Sequence, residues 1–158
     1  MGAAFRWGSL GLAPGILIEV TLTKGYRSRL VKGLFDTGAD FTHVRQDWKD
    51  RLRVPDSECV PWEIRVADGH VVEGQLTVID ATFDEHTFRM PVVFSPFVPT
   101  DLIGRIGIFD QFKIEQDPKN ATTVFTWVGP VAEPWSAAIE RQWKDRLSKK
   151  PSSKDAPT

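Results

Sequence analysis

The segment that decides the fold is RLVKGLFDTGAD, residues 29–40. Its first part, Arg29 to Phe35, is rich in apolar residues and predicts a strand that ends directly before an aspartate. A carboxylate at the end of an apolar strand is partly removed from water, and a glycine two residues later lets the main chain turn tightly and approach a ligand closely. Asp36, Thr37 and Gly38 are therefore the first candidates for a chemical role.

A carboxylate in this position becomes catalytic when a second carboxylate lies beside it. Two carboxylates about 3 Å apart cannot both ionise, so they share a proton. The ionised group can take a proton from water while the other donates one to a carbonyl oxygen, which is general acid–base hydrolysis of an amide. Such a pair needs no metal and no organic cofactor.

Two other segments of the chain belong with this one. Residues 102–105 are LIGR, two apolar residues followed by glycine and arginine. Residues 66–70 are VADGH, and their Asp-Gly pair is a strong signal for the turn of a β-hairpin. The chain contains one Asp-Thr-Gly and no Asp-Ser-Gly.

In order, spacing and β-rich context, these segments resemble the retropepsin-like aspartic peptidases, the family of the retroviral proteases. Residues 36–40 (DTGAD) resemble the active-site loop of that family, and residues 102–105 resemble its second signature, which lies downstream at this spacing. The hairpin at residues 66–70 stands where the family carries the flap that covers the substrate. The resemblance extends roughly from Gly15 to Val128.

The resemblance implies both a fold and a mechanism. The fold is all-β, a single-lobe acid-protease closed barrel with short helices, to which this chain adds a C-terminal helix. Because the chain has a single Asp-Thr-Gly loop, a symmetric homodimer would supply both aspartates. Asp36 of the two copies would activate the attacking water, Thr37 would hydrogen-bond to the partner loop, and Gly38 would help to hold the loop.

Other residues have supporting roles by the same resemblance. Asp40, Gly104 and Arg105 would brace the loop, with Arg105 paired to Asp40 in the same subunit. His43 stands where the family usually has an apolar pocket residue, and it would contact the substrate. The hairpin residues that would cover the substrate are Ala67, Asp68, Gly69 and His70.

The sequence also departs from the family in three places. Retroviral enzymes usually have Asn after Gly-Arg, whereas this chain has Ile106. Their flap tips are rich in glycine, whereas this hairpin has only Gly69 at its turn. Retroviral chains end soon after the Gly-Arg segment, and this chain continues. We therefore expect a stiffer flap and different dimer contacts.

The composition is typical of a single soluble domain. The 158 residues include 41% hydrophobic and 26% charged residues, and the net charge is −1. This charge balance argues against nucleic acid or a membrane surface as a partner, and no apolar run reaches the length of a membrane span. The three histidines show no metal-ligand spacing, and the single cysteine, Cys59, fits a reducing compartment such as the cytoplasm. The expected partners are a second copy and a protein or peptide substrate.

The chain is expected to have four parts. These are a loose N-terminal arm at 1–14, the peptidase domain at 15–129, a C-terminal amphipathic helix at 130–148 and a disordered tail at 149–158. The apolar patterns within the domain predict strands at Ile16–Leu22, Arg29–Phe35, Ile64–Ala67, Val71–Phe83, Phe88–Phe94, Phe112–Gln116 and Thr122–Val128.

Several finer features are expected within this scheme. A short amphipathic helix is predicted at Gln46–Leu52. Gly74 is a candidate for a β-bulge, and Asp101–Gln111 is predicted to be a buried turn that leads into a short helix. The apolar stripe of the C-terminal helix is expected to be buried, and it consists of Trp135, Ile139, Trp143 and Leu147.

Two other interpretations stay open from the sequence. The chain could use the fold as a non-enzymatic dimerisation or peptide-binding module, although such a protein is expected to lose Asp36 or Thr37. An unrelated β-barrel binding protein would leave Gly104 and Arg105 unexplained. For Asp36 alone, the simplest alternative is a loop carboxylate in an Asx-turn.

Overall fold

The computed structural model of the protein describes residues 2–10, 13–66 and 68–151. Strands make up 49% and helices 16%, which confirms the all-β class. The strands in chain order are β1 (Ala3–Arg6), β2 (Gly8–Leu10), β3 (Ala13–Gly15), β4 (Leu17–Lys24), β5 (Arg27–Phe35), β6 (Thr42–Arg45), β7 (Val60–Arg65), β8 (Val71–Phe83), β9 (His86–Ser95), β10 (Leu102–Ile103), β11 (Phe112–Asp117) and β12 (Thr122–Trp127). The α-helices are α1 (Asp47–Leu52) and α2 (Trp135–Ser148), and a short 3-10 helix covers Asp56–Glu58.

Six of the strands form a closed ring. Their order is β4-β5-β10-β6-β9-β8, and β8 pairs with β4 to complete the ring. The long strand β8 makes this possible because its first half pairs with β7 and its second half pairs with β4. The strand predicted at Val71–Phe83 is thus present with the same bounds, and it serves two neighbours in succession.

The core of the ring follows from the alternation of side chains along its strands. In β4, Ile18, Val20 and Leu22 are fully buried, whereas Glu19 between them is exposed. This period of two is the mark of a strand with one face on a core. Each aliphatic side chain of this size contributes roughly 1.5–3 kcal/mol when it is removed from water.

A second sheet, β1-β12-β11, packs against the ring. Phe125 of β12 is fully buried and lies at the centre of this contact. Its ring centroid is 5.0 Å from that of Phe35, 5.1 Å from that of Phe83 and 5.5 Å from that of Phe5. The last residue of β5, directly before Asp36, is therefore fixed by an aromatic cluster that joins the two sheets.

Helix α2 packs on another face of the ring, against β7, β8 and β9. Trp143 is buried there with Val60, Leu76 and Val93, and the neighbouring apolar residues of the helix pack around it. The helix begins where the carboxylate of Asp110 accepts hydrogen bonds from the main-chain N–H groups of its first two residues, at 2.9 Å each. A carboxylate at this place satisfies unpaired donors and interacts favourably with the helix dipole.

The expectation of a loose N-terminal arm is wrong for the residues that the structure describes there. Residues Ala3–Arg6 pair antiparallel with β12, from Ala3 opposite Phe125 to Arg6 opposite Thr122. This strand could not be recognised from four residues, because its partner lies more than a hundred residues away in the chain. The tail predicted to be disordered from residue 149 is ordered at its start, because Lys150 donates to the carbonyl oxygens of Asp56 and Cys59. Residues 152–158 lie outside the described residues.

Two local predictions, a bulge at Gly74 and a short helix within Asp101–Gln111, are also corrected. Gly74 forms no bulge, because it pairs in continuous register with Trp62. The position requires glycine because a Cβ there would lie 2.5 Å from Cγ1 of Val93. The predicted helix within Asp101–Gln111 is absent, since Gly107 has a φ of +101° and the chain forms irregular turns instead.

The apolar stripe of α2 is only partly buried. Trp143 is buried, Ile139 and Leu147 are half-buried, and Trp135 is 57% exposed. Residues four apart on an α-helix turn by about 40° at each step, so the ends of a stripe of four diverge by roughly 120°. One flat surface therefore cannot cover all four side chains.

No helix in the described ranges is both long enough and apolar enough to cross a membrane.

Candidate active site

Strand β10 joins the two segments that the sequence singles out. It lies between β5 and β6, parallel to the first and antiparallel to the second. Leu102 and Ile103 pair with Leu34 and Phe35, and the main-chain N–H of Asp36 donates to the carbonyl oxygen of Ile103 at 3.0 Å. The loop that begins at Asp36 is thus attached at its first residue to the segment that carries Gly104 and Arg105.

The carboxylate of Asp36 is half-buried and held within its own loop. The carboxylate Oδ1 accepts a hydrogen bond from the N–H of Gly38 at 2.9 Å, and the main-chain carbonyl oxygen of Asp36 accepts one from the N–H of Ala39 at 3.1 Å. A Cβ at position 38 would lie 3.2 Å from the same Oδ1, which is closer than an ordinary contact, so glycine at this position avoids crowding the carboxylate. Thr37 is exposed at the tip of the loop.

An open groove of about 420 Å³ lies beside this loop. Asp36 and Thr37 contribute to its wall, and so do Trp7 and Thr123 of the N-terminal segment and the second sheet. The indole N–H of Trp7 donates to the hydroxyl of Thr123 at 2.8 Å, which fixes this side of the groove. Among the described residues that line the groove, Asp36 is the one carboxylate.

Asp40, Gly104 and Arg105 are brought together behind the loop. The guanidinium Nη2 of Arg105 forms an ion pair with Oδ1 of Asp40, as the resemblance implies. The N–H of Arg105 donates to the carbonyl of Ala39 at 2.9 Å, and the N–H of Ile106 donates to that of Asp40 at 2.8 Å. These contacts tie the end of the loop to the chain that follows β10.

Gly104 occupies a position that admits no side chain. A Cβ there would lie 2.3 Å from both the carbonyl carbon and the carbonyl oxygen of Phe41. Its N–H donates to the hydroxyl of Thr42 at 3.2 Å. The glycine of the second signature is therefore required by the close approach of two main-chain segments.

His43 lies on β6 beside this site but is almost enclosed. It pairs with Leu102 on one side and with Val93 on the other, and it is 6% exposed. Its Nε2 is buried without a hydrogen-bond partner among the described residues. Burial lowers the pKa of His43, because the charged imidazolium would lose its hydration. Its predicted contact with a substrate stays a prediction.

The predicted hairpin is present between β7 and β8. At its turn, Gly69 has a φ of +89°, and Oδ1 of Asp68 accepts a hydrogen bond from the N–H of His70 at 2.9 Å. The imidazole of His70 lies 2.8 Å from Oδ2 of Asp68 and lowers the pKa of that carboxyl. The hairpin prediction also included Ala67, which lies outside the described residues.

The free part of this hairpin extends beyond the ring. Pairing of β8 with β9 begins at Gln75, so Val71–Gly74 pair with β7 alone. The base of the hairpin contacts the candidate loop, because the rings of Trp62 and Phe41 meet edge to face with centroids 5.4 Å apart.

Some residues that hold the site were given no role from the sequence. Asp101 is 7% exposed, and its carboxylate accepts hydrogen bonds from the N–H of Arg45 and from the indole of Trp48, both at 2.9 Å. It thereby holds the start of β10 against α1. Phe41 and Trp62 were also missed, because an aromatic pair that forms between distant segments leaves no local pattern.

No group of three or more His, Cys, Asp or Glu side chains that could hold a metal ion occurs in the described part of the chain. No model of a known protein family matches the sequence, and no curated protein matches it either. A functional assignment therefore depends on the residues and their geometry.

Proposed function

We propose that the chain is an aspartic endopeptidase of the retropepsin-like type, active as a homodimer. The observation that carries this proposal is the contact between the two distant motifs. The N–H of Asp36 is bonded to Ile103, and Arg105 is paired with Asp40 across 65 residues of sequence. Two short motifs that arose by chance would have no reason to meet at one loop.

In this proposal the two copies bring their Asp36 carboxylates together. One ionised carboxylate takes a proton from the attacking water, and the protonated partner donates to the carbonyl oxygen of the peptide bond. Thr37, exposed at the loop tip, is available for a hydrogen bond to the partner loop. The β7–β8 hairpin and His43 would contact the substrate, and the ring of strands would be the single-lobe acid-protease barrel. The cytoplasmic location inferred from the single cysteine belongs to the same proposal.

Cleavage of an unfolded protein substrate by wild type and Asp36→Asn tests the assignment of the carboxylate. The amide cannot act as a general base, so the rate should fall about 10²–10⁴-fold. Asp50→Asn is the matched control, because Asp50 is an exposed carboxylate on α1. Wild-type rates in Asp36→Asn would exclude the proposed mechanism.

Mixing the two proteins tests whether the site is shared between chains. After exchange of subunits at equal amounts, random pairing leaves half of the wild-type chains with a wild-type partner, so the activity should fall to about one half. An unchanged activity would mean that each chain carries a complete site.

The alternative is a dimerisation or peptide-binding module without turnover. The Asx-turn hydrogen bond of Asp36 is compatible with it, because such a bond also occurs in ordinary loops. A protein that dimerises and binds peptides but shows no Asp36-dependent cleavage would establish this alternative.

A further inference from the structure

Helix α2 and the turn after it contact the main chain that leads into the β7–β8 hairpin. The donors are the side chains of Trp143, Arg146 and Lys150. The accepting carbonyl oxygens are those of Glu58 at 2.9 Å from Trp143 Nε1, Pro61 at 3.2 Å from Arg146 Nη1, and Asp56 and Cys59 at 2.7 and 3.1 Å from Lys150 Nζ. The segment that leads into the hairpin is thus bonded repeatedly to α2 and the turn after it.

Arg146 makes a second contact that reaches toward the candidate site. Its guanidinium carbon lies 4.5 Å from the centre of the Trp62 ring, a cation–π geometry. The Trp62 ring in turn meets Phe41, which directly follows Asp40 in the candidate loop. A continuous series of contacts therefore runs from α2 through the base of the hairpin to the loop that begins at Asp36.

The hairpin itself has little other support. Residues 71–74 pair with β7 alone, because the pairing of β8 with β9 begins only at Gln75. Glu63 and Glu73 are paired directly opposite each other, and like charges in this relation are destabilising. Together with Arg146 they line a surface groove of about 390 Å³. A restraint at the base of the hairpin therefore has a large influence on the position of its tip.

We propose that α2 acts as a clamp on the β7–β8 hairpin and that Arg146 is the positioning residue that sets the hairpin over the site through Trp62. This inference rests on the proposed function in one respect, namely that the hairpin covers a bound peptide. The clamp itself affects the local stability of the hairpin, which can be measured without any substrate.

Hydrogen exchange of wild type, Arg146→Ala and Arg146→Lys tests the clamp. The amides of Trp62–Arg65 and Val71–Gly74 should exchange about five- to tenfold faster in Arg146→Ala, because a cation–π contact and a hydrogen bond are lost. Arg146→Lys keeps a cation over Trp62 and should recover part of the protection. Arg141→Ala is the matched control, because Arg141 is exposed on the same helix and makes no hydrogen bond or ion pair with the described residues. Unchanged exchange in Arg146→Ala, or an equal increase throughout the ring, would overturn the clamp.

Steady-state cleavage by the same variants tests the positioning role. A looser hairpin binds the peptide less well but still closes at saturation, so KM should rise about five- to tenfold while kcat stays within about twofold. A fall in kcat with unchanged KM, or no kinetic change despite faster exchange, would refute the positioning role. A wild-type cleavage rate that Asp36→Asn leaves intact would instead refute the proposed function, and the exchange experiment would still decide whether α2 restrains the hairpin.

Discussion

Replacing Gly104 by alanine removes the close approach on which the candidate site depends. The added methyl group would lie 2.3 Å from the carbonyl carbon and oxygen of Phe41 and 2.9 Å from the carbonyl oxygen of Asp40. All three atoms belong to the main chain, so no side chain can rotate away to make room. The loop itself must move.

The size of the effect follows from these distances. Carbon atoms in ordinary contact are about 3.5–4.0 Å apart, so the loop must retreat by about 1.2 Å or more. The hydrogen bonds that would lengthen are Gly104 N to Thr42 Oγ1, Arg105 N to Ala39 O and Ile106 N to Asp40 O. Overpacking together with these losses should lower the free energy of unfolding by about 2–4 kcal/mol. For a domain of this size, that corresponds to a fall in Tm of roughly 5–15 °C.

Thermal and urea unfolding of Gly104→Ala measure this effect, with Gly8→Ala as the control. At Gly8 the nearest atom to an added Cβ is the carbonyl oxygen of Gly15 at 3.9 Å, which is an ordinary contact. The control should therefore unfold close to wild type. If Gly104→Ala also unfolded within about 1 °C of wild type, the steric argument for this glycine would be refuted.

Three further predictions concern residues outside the candidate loop. Burial lowers the pKa of His43 below its usual value, so on acidification the unfolded chain takes up a proton more readily than the folded chain does. The free energy of unfolding should therefore fall as the pH drops below about 6.5. Urea unfolding at pH 7 and pH 5 should show a smaller decrease in this free energy for His43→Leu than for wild type. Asp84 and Glu85 both have positive φ, at 48° and 66°, in the two-residue turn between β8 and β9; Glu85→Gly should raise the free energy of unfolding by about 0.5–1 kcal/mol, and an unchanged urea midpoint would contradict this. Cys59 is 1% exposed and burial raises the pKa of its thiol to about 11; at pH 8 a disulfide reagent should label it at least roughly a hundredfold more slowly in the folded protein than after denaturation, whereas equal rates would show that the thiol is accessible.

The parts of the fold that were predicted correctly are those with strong local patterns. Val71–Phe83 is a long run rich in β-branched and apolar residues, and the Asp-Gly pair before it marks a turn. The hairpin could therefore be predicted from local sequence alone. The short helix α1 was predicted one residue too long at its start. The motif at 36–40 and the motif at 102–105 were recognised as a pair, and the structure brings them together.

The parts that were missed depend on contacts between distant segments. Strand β1 pairs with β12, which lies far away in the sequence, and Phe41 and Trp62 meet because the fold brings the end of the candidate loop against β7. Trp135 was expected to be buried because it repeats every four residues with three other apolar residues. The helix turns too far over this length, and the capping contact with Asp110 fixes where its first turn lies.

The choice between a catalytic loop and an ordinary Asx-turn depends on how much restraint the loop receives. An Asx-turn needs only the bond between Gly38 N–H and the carboxylate of Asp36. This loop is also fixed at its start by Ile103 and at its end by the pair of Asp40 and Arg105, and Gly104 is kept free of a side chain so that the segments can approach. Thr37 lies between these two attachments and is exposed to solvent. A rigid support behind an exposed tip is what a carboxylate needs if it must meet a second carboxylate at a defined distance, since a site displaced by about 1 Å can lose a factor of about 10² in rate. The restraint on this loop exceeds what an Asx-turn requires, and this excess favours the proposed catalytic role of Asp36 over that of an ordinary loop residue.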